Sequence, residues 1–241
     1  MRLLGTVLAA AAGGGVLASA MHTVPAVSAL GPLRRTTMPQ LSGMGDTAHV
    51  ALTFDDGPDP ASTPAFLEAL DRLGWKATFF MLGSMAAAAP GLAREVAAAG
   101  HEIALHGGTH HYHIARSPKW VANDLARGYD QLGAITGQRC SWHRPPYGVL
   151  SGATLATCRR LGLRAVLWDA WGRDWRHEAT PSSVLSDLSS ELRGGSTLLL
   201  HDSDCTSAPG SWRSALGALE PLAAHLELLG LRTGPLRDHA G

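Results

Sequence analysis

Residues 49–58 read HVALTFDDGP, an apolar and β-branched run that leads directly into two carboxylates and a turn. The run over residues 49–54 predicts a buried strand, because such residues pack well on a pleated surface. Gly57 and Pro58 then force a sharp turn behind Asp55 and Asp56. Adjacent carboxylates repel each other unless a cation or a proton lies between them. A solvated Asp-Asp turn is the alternative interpretation.

Short apolar runs alternate with helical patterns along the rest of the chain. Further strands are predicted over residues 77–82, 102–105, 141–144, 164–168 and 197–200, with a less regular one at 231–233. Helices are predicted over residues 63–73, 92–99, 120–135, 153–161, 184–192 and 212–229. This alternation indicates parallel βαβ units, and about seven of them suit an α/β barrel better than an open sheet.

Polar side chains follow the carboxyl ends of several predicted strands, which is where active sites of such barrels lie. They are Asp55, Asp56, His106, Arg144, Asp169, His201 and Asp202. Because these positions come together only if the barrel forms, their clustering predicts a functional site at that end of the fold.

His106 and His110 lie four residues apart in the stretch HGGTH. On a helix this spacing puts both on one face, whereas Gly107 and Gly108 equally allow a tight loop that turns both imidazoles inward. Two histidines and one carboxylate make a common metal site with positions open for water and substrate. An exposed histidine-rich turn is the alternative.

Three other segments carry candidate functional groups. Arg144 begins the rigid stretch RPPYG, and its guanidinium could hold Asp55 by a bidentate pair; a surface arginine is the alternative. Residues 168–175 place three tryptophans beside carboxylates, which suits sugar stacking, although a core aromatic cluster is favoured for Trp168. His201 ends a buried strand, where a lone histidine would usually be structural.

Composition bounds the class of protein. The chain has 241 residues, which suffices for one large domain, and its 45% apolar and 17% charged residues indicate a globular protein. Twenty Lys and Arg balance twenty Asp and Glu, so nothing steers the protein toward nucleic acid. Three cysteines without C-x-x-C spacing are expected to be unpaired thiols, although a Cys140–Cys158 bridge stays open.

The N-terminus predicts export. Residues 1–30 are interpreted as a signal peptide, with cleavage after Ala20 or Ala29, or as a membrane anchor through the uncharged apolar run 3–21. Residues 31–47 lack periodicity and are predicted to be a linker. The catalytic domain is expected over residues 48–236. Either interpretation of the N-terminus predicts a secreted or extracytoplasmic protein.

Taken together, the motifs resemble those of the polysaccharide deacetylase family (carbohydrate esterase family four, the NodB-homology domain) from about residue 49 to 231. Five segments carry the resemblance in the family's order: residues 53–58, 106–110, 144–148, 174–175 and 199–201. Gly107 replaces the Ser or Thr of a His-(Ser/Thr)-x-x-His pattern, and Trp171 stands where the family often has Asp. The resemblance implies a distorted (β/α) barrel.

The resemblance also implies a metal centre and a pair of proton-transfer groups. The implied ligands of a divalent metal, zinc or alternatively cobalt, are Asp56, His106 and His110. Asp55 is implied as the general base and His201 as the general acid.

Further residues are implied to support that chemistry. Asp174 would polarise the acid and Arg144 would orient the base. The backbone N–H of Tyr147 would stabilise the oxyanion, while Trp175 and Leu199 would wall an apolar pocket for the acetyl methyl.

The expected activity is removal of N-acetyl groups from an N-acetylglucosamine polysaccharide, chitin-like or peptidoglycan, by a monomeric enzyme acting on extracellular glycan. Alternatives are an esterase of O-acetylated xylan or a hydrolase of another small amide. A non-haem iron oxygenase uses similar ligands, but a base and an acid beside the metal favour hydrolysis. A non-catalytic sugar-binding module would have lost one of these residues.

Overall fold

One sheet of eight strands, all paired in parallel, forms the centre of the computed structural model, which describes residues 20–239. The strands are β1 (His49–Asp55), β2 (Thr78–Leu82), β3 (Glu102–Gly107), β4 (Trp142–His143), β5 (Arg164–Ala165), β6 (Ala170–Trp171), β7 (Thr197–His201) and β8 (Arg232–Gly234). Their order is β5-β4-β3-β2-β1-β7-β6, and β8 pairs with the beginning of β1.

The sheet curls into an incomplete barrel. Within the described residues its two end strands, β5 and β6, do not pair with each other. β1 lies in the middle and is buried at every position, which explains why it has a continuous apolar pattern rather than an alternating one. The predicted α/β fold, a distorted barrel of about seven parallel strands, is confirmed.

Helices cover the outside of the sheet. They are α1 (Gly31–Thr37), α2 (Thr63–Arg72), α3 (Gly83–Ala88), α4 (Pro90–Ala98), α5 (Pro118–Thr136), α6 (Gly152–Leu161), α7 (Pro181–Glu191), α8 (Trp212–Leu228) and α9 (Leu236–His239). Short 3-10 turns occupy Val24–Ala29, His113–Ala115 and Pro146–Gly148. The core between helices and sheet is aromatic: the ring of Phe54 lies 5.1 Å from those of Phe66 and Phe79, and all three are buried.

Several elements differ from the sequence-based expectation. The predicted strand at residues 164–168 is only two residues long, because the chain leaves the sheet after Ala165 and re-enters it as β6. Asp169 does not join the candidate site: its carboxylate accepts the backbone N–H of Thr197 at 2.7 Å, at the opposite, amino end of β7. The three cysteines are free thiols.

Part of the segment predicted to be a linker is helical. Residues 31–47 contain α1, and Arg34 on this helix is 4% exposed. Most of the predicted apolar segment 3–21 lies outside the described residues, so the boundaries 1–30, 31–47 and 48–236 stay predictions. Among residues 20–239 no helix combines the length and hydropathy needed to cross a membrane.

This N-terminal segment covers the opening between β5 and β6. The Arg34 guanidinium donates to the carbonyl oxygens of Trp168 at 2.5 Å and Ser28 at 2.7 Å. Arg35 donates to the carbonyl of Asp169 at 3.1 Å, and the backbone N–H of Leu167 donates to Leu41 at 2.7 Å. Residues 166–169 connect the two end strands, so the segment is hydrogen-bonded directly to the gap in the barrel.

Candidate active site

A cavity of about 390 Å³ lies at the carboxyl ends of β1, β3 and β7. Asp55 and His201 are the last residues of β1 and β7, and His106 is the last but one of β3. The cavity is lined by Asp55, Asp56, His106, His110, Tyr112, Tyr147, Gly148, Trp168, Trp171, Trp175, Leu199, His201, Thr206 and Ser207. Its size suits a small ligand, and its lining combines five Tyr and Trp rings with seven polar or charged side chains.

Three side chains on the cavity wall are arranged as metal ligands. Asp56 Oδ1 lies 3.3 Å from His106 Nε2 and 3.2 Å from His110 Nε2. That oxygen is buried, and no described residue gives it a hydrogen bond of regular geometry. Burial would raise the pKa of the Asp56 carboxyl, but the two imidazoles hold it well below its usual value. An ionised oxygen and two ring nitrogens that converge on one point fit a divalent cation.

The two histidines lie on a strand end and a loop, not on a helix. His106 is in β3, Gly107 and Gly108 follow it, and His110 comes from the loop beyond. Gly107 has a φ of 157°, and a Cβ there would lie only 2.8 Å from the Thr109 carbonyl oxygen. A side chain at position 107 would therefore displace the loop.

Asp124, on α5, holds this loop from behind. Its Oδ2 accepts the backbone N–H groups of Gly108 at 2.9 Å and Thr109 at 3.2 Å, and its Oδ1 accepts the Thr109 hydroxyl at 2.8 Å. Asp124 is 1% exposed, so these are charge-assisted bonds in a buried setting. Another hydroxyl fixes the carboxylate ligand: Thr206 Oγ1 donates to Asp56 Oδ2 at 2.8 Å.

Asp55 and Arg144 form a buried pair beside the candidate metal ligands. Arg144 Nη1 donates to Asp55 Oδ1 at 2.7 Å and to the Thr53 hydroxyl at 2.8 Å, while Nη2 donates to the Leu167 carbonyl at 2.8 Å. The contact with Asp55 is therefore single rather than bidentate. Asp55 Oδ2 points toward the cluster, 3.8 Å from His106 Nδ1.

His201 and Asp174 form a second pair across the cavity. Asp174 Oδ1 lies 2.9 Å from His201 Nδ1, and its Oδ2 accepts the His201 backbone N–H at 2.7 Å. Burial alone would lower the pKa of His201, but the charge of Asp174, with those of Asp56 and Asp55, raises it to about 10. Because His201 Nδ1 faces the Asp174 carboxylate, this nitrogen carries the proton of the shared hydrogen bond, and Nδ1–H donates to Asp174.

Aromatic rings form the rest of the wall. Tyr147 stacks on Tyr112 with 3.7 Å between ring centroids, and its ring edge meets His110 at 4.4 Å. Tyr147 has a φ of 59°, an uncommon backbone conformation often found at functional sites. On the other side Trp171 lies 6.2 Å from Trp175, and both flank the buried Leu199.

The structure brings together the ten residues to which the resemblance gives a role, but Asp169 and Asp202, predicted at this end from their positions after strands, do not line the cavity. Eight of these ten line the cavity. The other two lie behind the wall, where Arg144 contacts Asp55 and Asp174 contacts His201. Trp168, assigned to the core, instead lines the cavity.

Sequence reasoning missed Asp124, Thr206 and Tyr112. Nothing in the local pattern distinguishes a lone acid on a helix, or a hydroxyl in a loop, from surface residues of the same type. Of the neighbouring histidines, His113 is buried against Thr154 and His111 contacts Thr109.

Comparison with known proteins identifies the family of the chain. The model of the polysaccharide deacetylase family matches residues 43–166. The chain is 34% identical over 198 residues to a chitooligosaccharide deacetylase of Bradyrhizobium sp., covering 79% of this chain and 90% of that protein. It is 35% identical over 155 residues to a peptidoglycan-N-acetylglucosamine deacetylase of Bacillus cereus, covering 64% of this chain and 72% of that protein.

A solved structure shows the same arrangement of elements. The crystal structure of a peptidoglycan N-acetylglucosamine deacetylase superimposes with a TM-score of 0.75 at 27% identity. The match covers 82% of this chain and 91% of that one.

Proposed function

This chain belongs to the polysaccharide deacetylase family, and from that membership we propose that it hydrolyses N-acetyl groups on an N-acetylglucosamine polysaccharide. The observation that carries the proposal is the placement of two proton-transfer groups beside one cluster of candidate metal ligands. Asp55 and His201 both line the cavity that contains Asp56, His106 and His110. A base and an acid at one electrophilic centre are what amide hydrolysis requires.

We assign the metal ligands to Asp56, His106 and His110. Nitrogen and carboxylate donors of this kind suit zinc, and cobalt is an alternative. A divalent ion held there would supply Lewis acidity and would lower the pKa of a bound water molecule to about 7.

Asp55 is assigned as the general base. Arg144 holds Oδ1, so Oδ2 stays directed at the cluster and can accept a proton from the attacking water. Because Arg144 is itself buried and fixed by Thr53 and Leu167, the orientation of the carboxylate is set before substrate arrives.

His201 is assigned as the general acid. An amide nitrogen departs only after it is protonated, because the amide anion is too basic to leave. Since Nδ1–H donates to Asp174, Nε2 is the atom that delivers the proton. An ester would need this acid less, which favours an N-acetyl substrate over O-acetylated xylan.

The rest of the wall suits an acetyl group. The backbone N–H of Tyr147 is assigned to the oxyanion, in the manner of oxyanion-hole donors. Trp175 and Leu199 flank the space assigned to the methyl, and each additional methylene in such a pocket changes binding by about 1–3 kcal/mol. Peptidoglycan or chitin-like glycan outside the cytoplasm is the proposed substrate, and a monomer the proposed state.

Acetate release tests this function. Metal-loaded protein is incubated with N-acetylglucosamine oligomers, peptidoglycan and acetylxylan, and Asp55→Asn serves as the control. Acetate from the N-acetylated glycans, reduced by about 10²–10⁴ in the variant, is expected. Acetate from xylan alone would overturn the N-deacetylase assignment, whereas equal rates in wild type and variant would overturn the role of Asp55.

A further inference from the structure

Asp202 is a buried acid that the mechanism above does not use. It follows His201 at the end of β7, is 1% exposed and does not line the active-site cavity. We propose that Asp202 is a positioning residue, which fixes the backbone of Asp56 by hydrogen bonds to the peptide groups on both of its sides. The proposal rests on the function proposed above, because that function assigns Asp56 to the metal.

The backbone of Asp56 has a conformation that needs support from its surroundings. Its φ is 82°, in a region that residues other than glycine adopt uncommonly. Such a conformation costs free energy and persists only where neighbouring groups hold it. Since the backbone sets the direction of the side chain, the aim of the Asp56 carboxylate depends on what holds the two peptide groups that flank its Cα.

Asp202 contacts both of those peptide groups. Its backbone N–H donates to the carbonyl oxygen of Asp55 at 3.3 Å, in the peptide group before Asp56. Its Oδ1 accepts the backbone N–H of Gly57 at 3.2 Å, in the peptide group after Asp56. Rotation about φ or ψ of Asp56 moves one of these groups relative to the other. The two hydrogen bonds together therefore restrain the residue between them.

The turn after Asp56 fits closely against the Asp202 side chain. A Cβ at Gly57 would overlap the carboxylate of Asp202, whose Cγ would be only 2.7 Å away. The three atoms nearest to that Cβ all belong to this carboxylate. Any side chain at position 57 would therefore push the turn away from Asp202 and strain the hydrogen bond between them.

The beginning of helix α2 holds Asp202 in place. Its Oδ2 accepts the Thr63 hydroxyl at 2.6 Å, and its carbonyl oxygen accepts the Ser62 hydroxyl at 2.5 Å. Ser62 and Thr63 are at most 1% exposed, so water does not compete for these hydrogen bonds. Both oxygens of the carboxylate thus have donors, and a buried polar network that is fully satisfied makes a rigid support.

Zinc affinity, measured against a chromophoric chelator without substrate, tests the proposal. Asp202→Ala removes the acceptor for Gly57 and should raise the zinc Kd about 10–100-fold, as loss of a residue that orients a ligand does. Asp202→Asn keeps an oxygen that accepts the Gly57 N–H and should recover most of this affinity. Asp169→Ala is the matched control, because Asp169 is equally buried and accepts the Thr197 N–H at the opposite end of β7. It should lower stability to urea without changing the zinc Kd.

Gly57→Ala tests the same contact with the carboxylate in place. Alone it should weaken zinc binding as Asp202→Ala does. In the Asp202→Ala background the space is free, so it should add no further loss, whereas independent effects would multiply. If Asp202→Ala does not fold, the comparison is between Gly57→Ala, which should lose affinity, and Asp202→Asn, which should keep it.

Several results would overturn the positioning role. They are an unchanged zinc Kd in folded Gly57→Ala or Asp202→Ala, equal losses in Asp202→Ala and Asp202→Asn, and an equal loss in Asp169→Ala. Acetate release from N-acetylglucosamine oligomers is followed separately. Zinc binding that depends on Asp202 as described, without acetate release by the wild type, would uphold the positioning role and overturn the proposed function. Acetate release with zinc binding indifferent to Asp202 would do the reverse.

Discussion

The carboxylate of Asp124 accepts the backbone N–H of Gly108 at 2.9 Å, and so ties helix α5 to the loop between the two candidate histidine ligands. Gly107 leaves this loop without the hydroxyl that the resemblance leads one to expect at that position. Asp124 also binds Thr109 through both of its oxygens. Helix α5 therefore braces the loop between His106 and His110 through Asp124.

Asp124→Asn should weaken metal binding, because the amide can no longer accept all of these hydrogen bonds. Residues that orient ligands from behind typically affect metal affinity about 10–100-fold. Competition against a chromophoric chelator measures the affinity, and Asp130→Asn, an exposed acid on the same helix, is the control. Unchanged zinc affinity in folded Asp124→Asn protein would remove this role.

Asp174→Asn should move the alkaline limb of the pH–rate profile to lower pH. A general acid must be protonated, so activity is lost as pH rises through its pKa. The Asp174 charge raises the pKa of His201, and removing that charge should lower it by at least about one unit. The profile of kcat/KM against pH, at saturating metal, decides this. An alkaline limb at the same pH in both proteins would exclude His201 as the titrating acid.

Buried His101 should make the fold sensitive to acid. Burial, with the nearby Lys76 and Arg237, lowers its pKa to about 4 from an ordinary value of 6.5. Between pH 6.5 and pH 4 the imidazole of the unfolded chain is protonated while that of the folded chain stays neutral. Protonation therefore favours the unfolded chain in this range. The stability that this group contributes is present above pH 6.5 and is lost as pH falls toward 4.

Urea unfolding of His101→Gln and of wild type between pH 4 and 7.5 tests this. As pH falls, the free energy of unfolding should decrease less steeply in His101→Gln than in wild type. The two slopes should differ by up to about 1.4 kcal/mol per pH unit. Exposed His177→Gln is the control, and parallel curves for wild type and His101→Gln would contradict the prediction.

The mature N-terminus is expected at Met21. The Met21 carbonyl lies against Gly152, and the Ser28 carbonyl accepts from Arg34, so the segment contacts the rest of the protein near both of its ends. Cleavage after Ala29 would discard these contacts, whereas cleavage after Ala20 retains them. Intact-mass measurement of the exported protein distinguishes the two sites, and Met1 retained in a membrane fraction would favour an anchor.

The sequence predicted the parts of the molecule that depend on local pattern. The apolar run that ends in Asp55 and Asp56, and the histidines at the end of β3 and beyond, carry their own spacing signals. Contacts between distant segments were not predictable in this way. Thr206 lies 150 residues from Asp56, and Arg34 lies 134 residues from Trp168. These pairs come into contact only in the folded chain, so no local sequence pattern predicts them. β6 was missed because two residues carry no periodicity.

Metal titration coupled to acetate release tests the central claim, that Asp56, His106 and His110 hold one ion that N-deacetylation requires. Chelator-treated protein is titrated with zinc while acetate release from N-acetylglucosamine oligomers is followed, and Asp56→Ala is titrated in parallel. The rate should rise linearly to a plateau at one equivalent per chain, and the variant should neither retain stoichiometric zinc nor release acetate. Full activity in the chelated protein, or stoichiometric zinc in Asp56→Ala, would contradict the account.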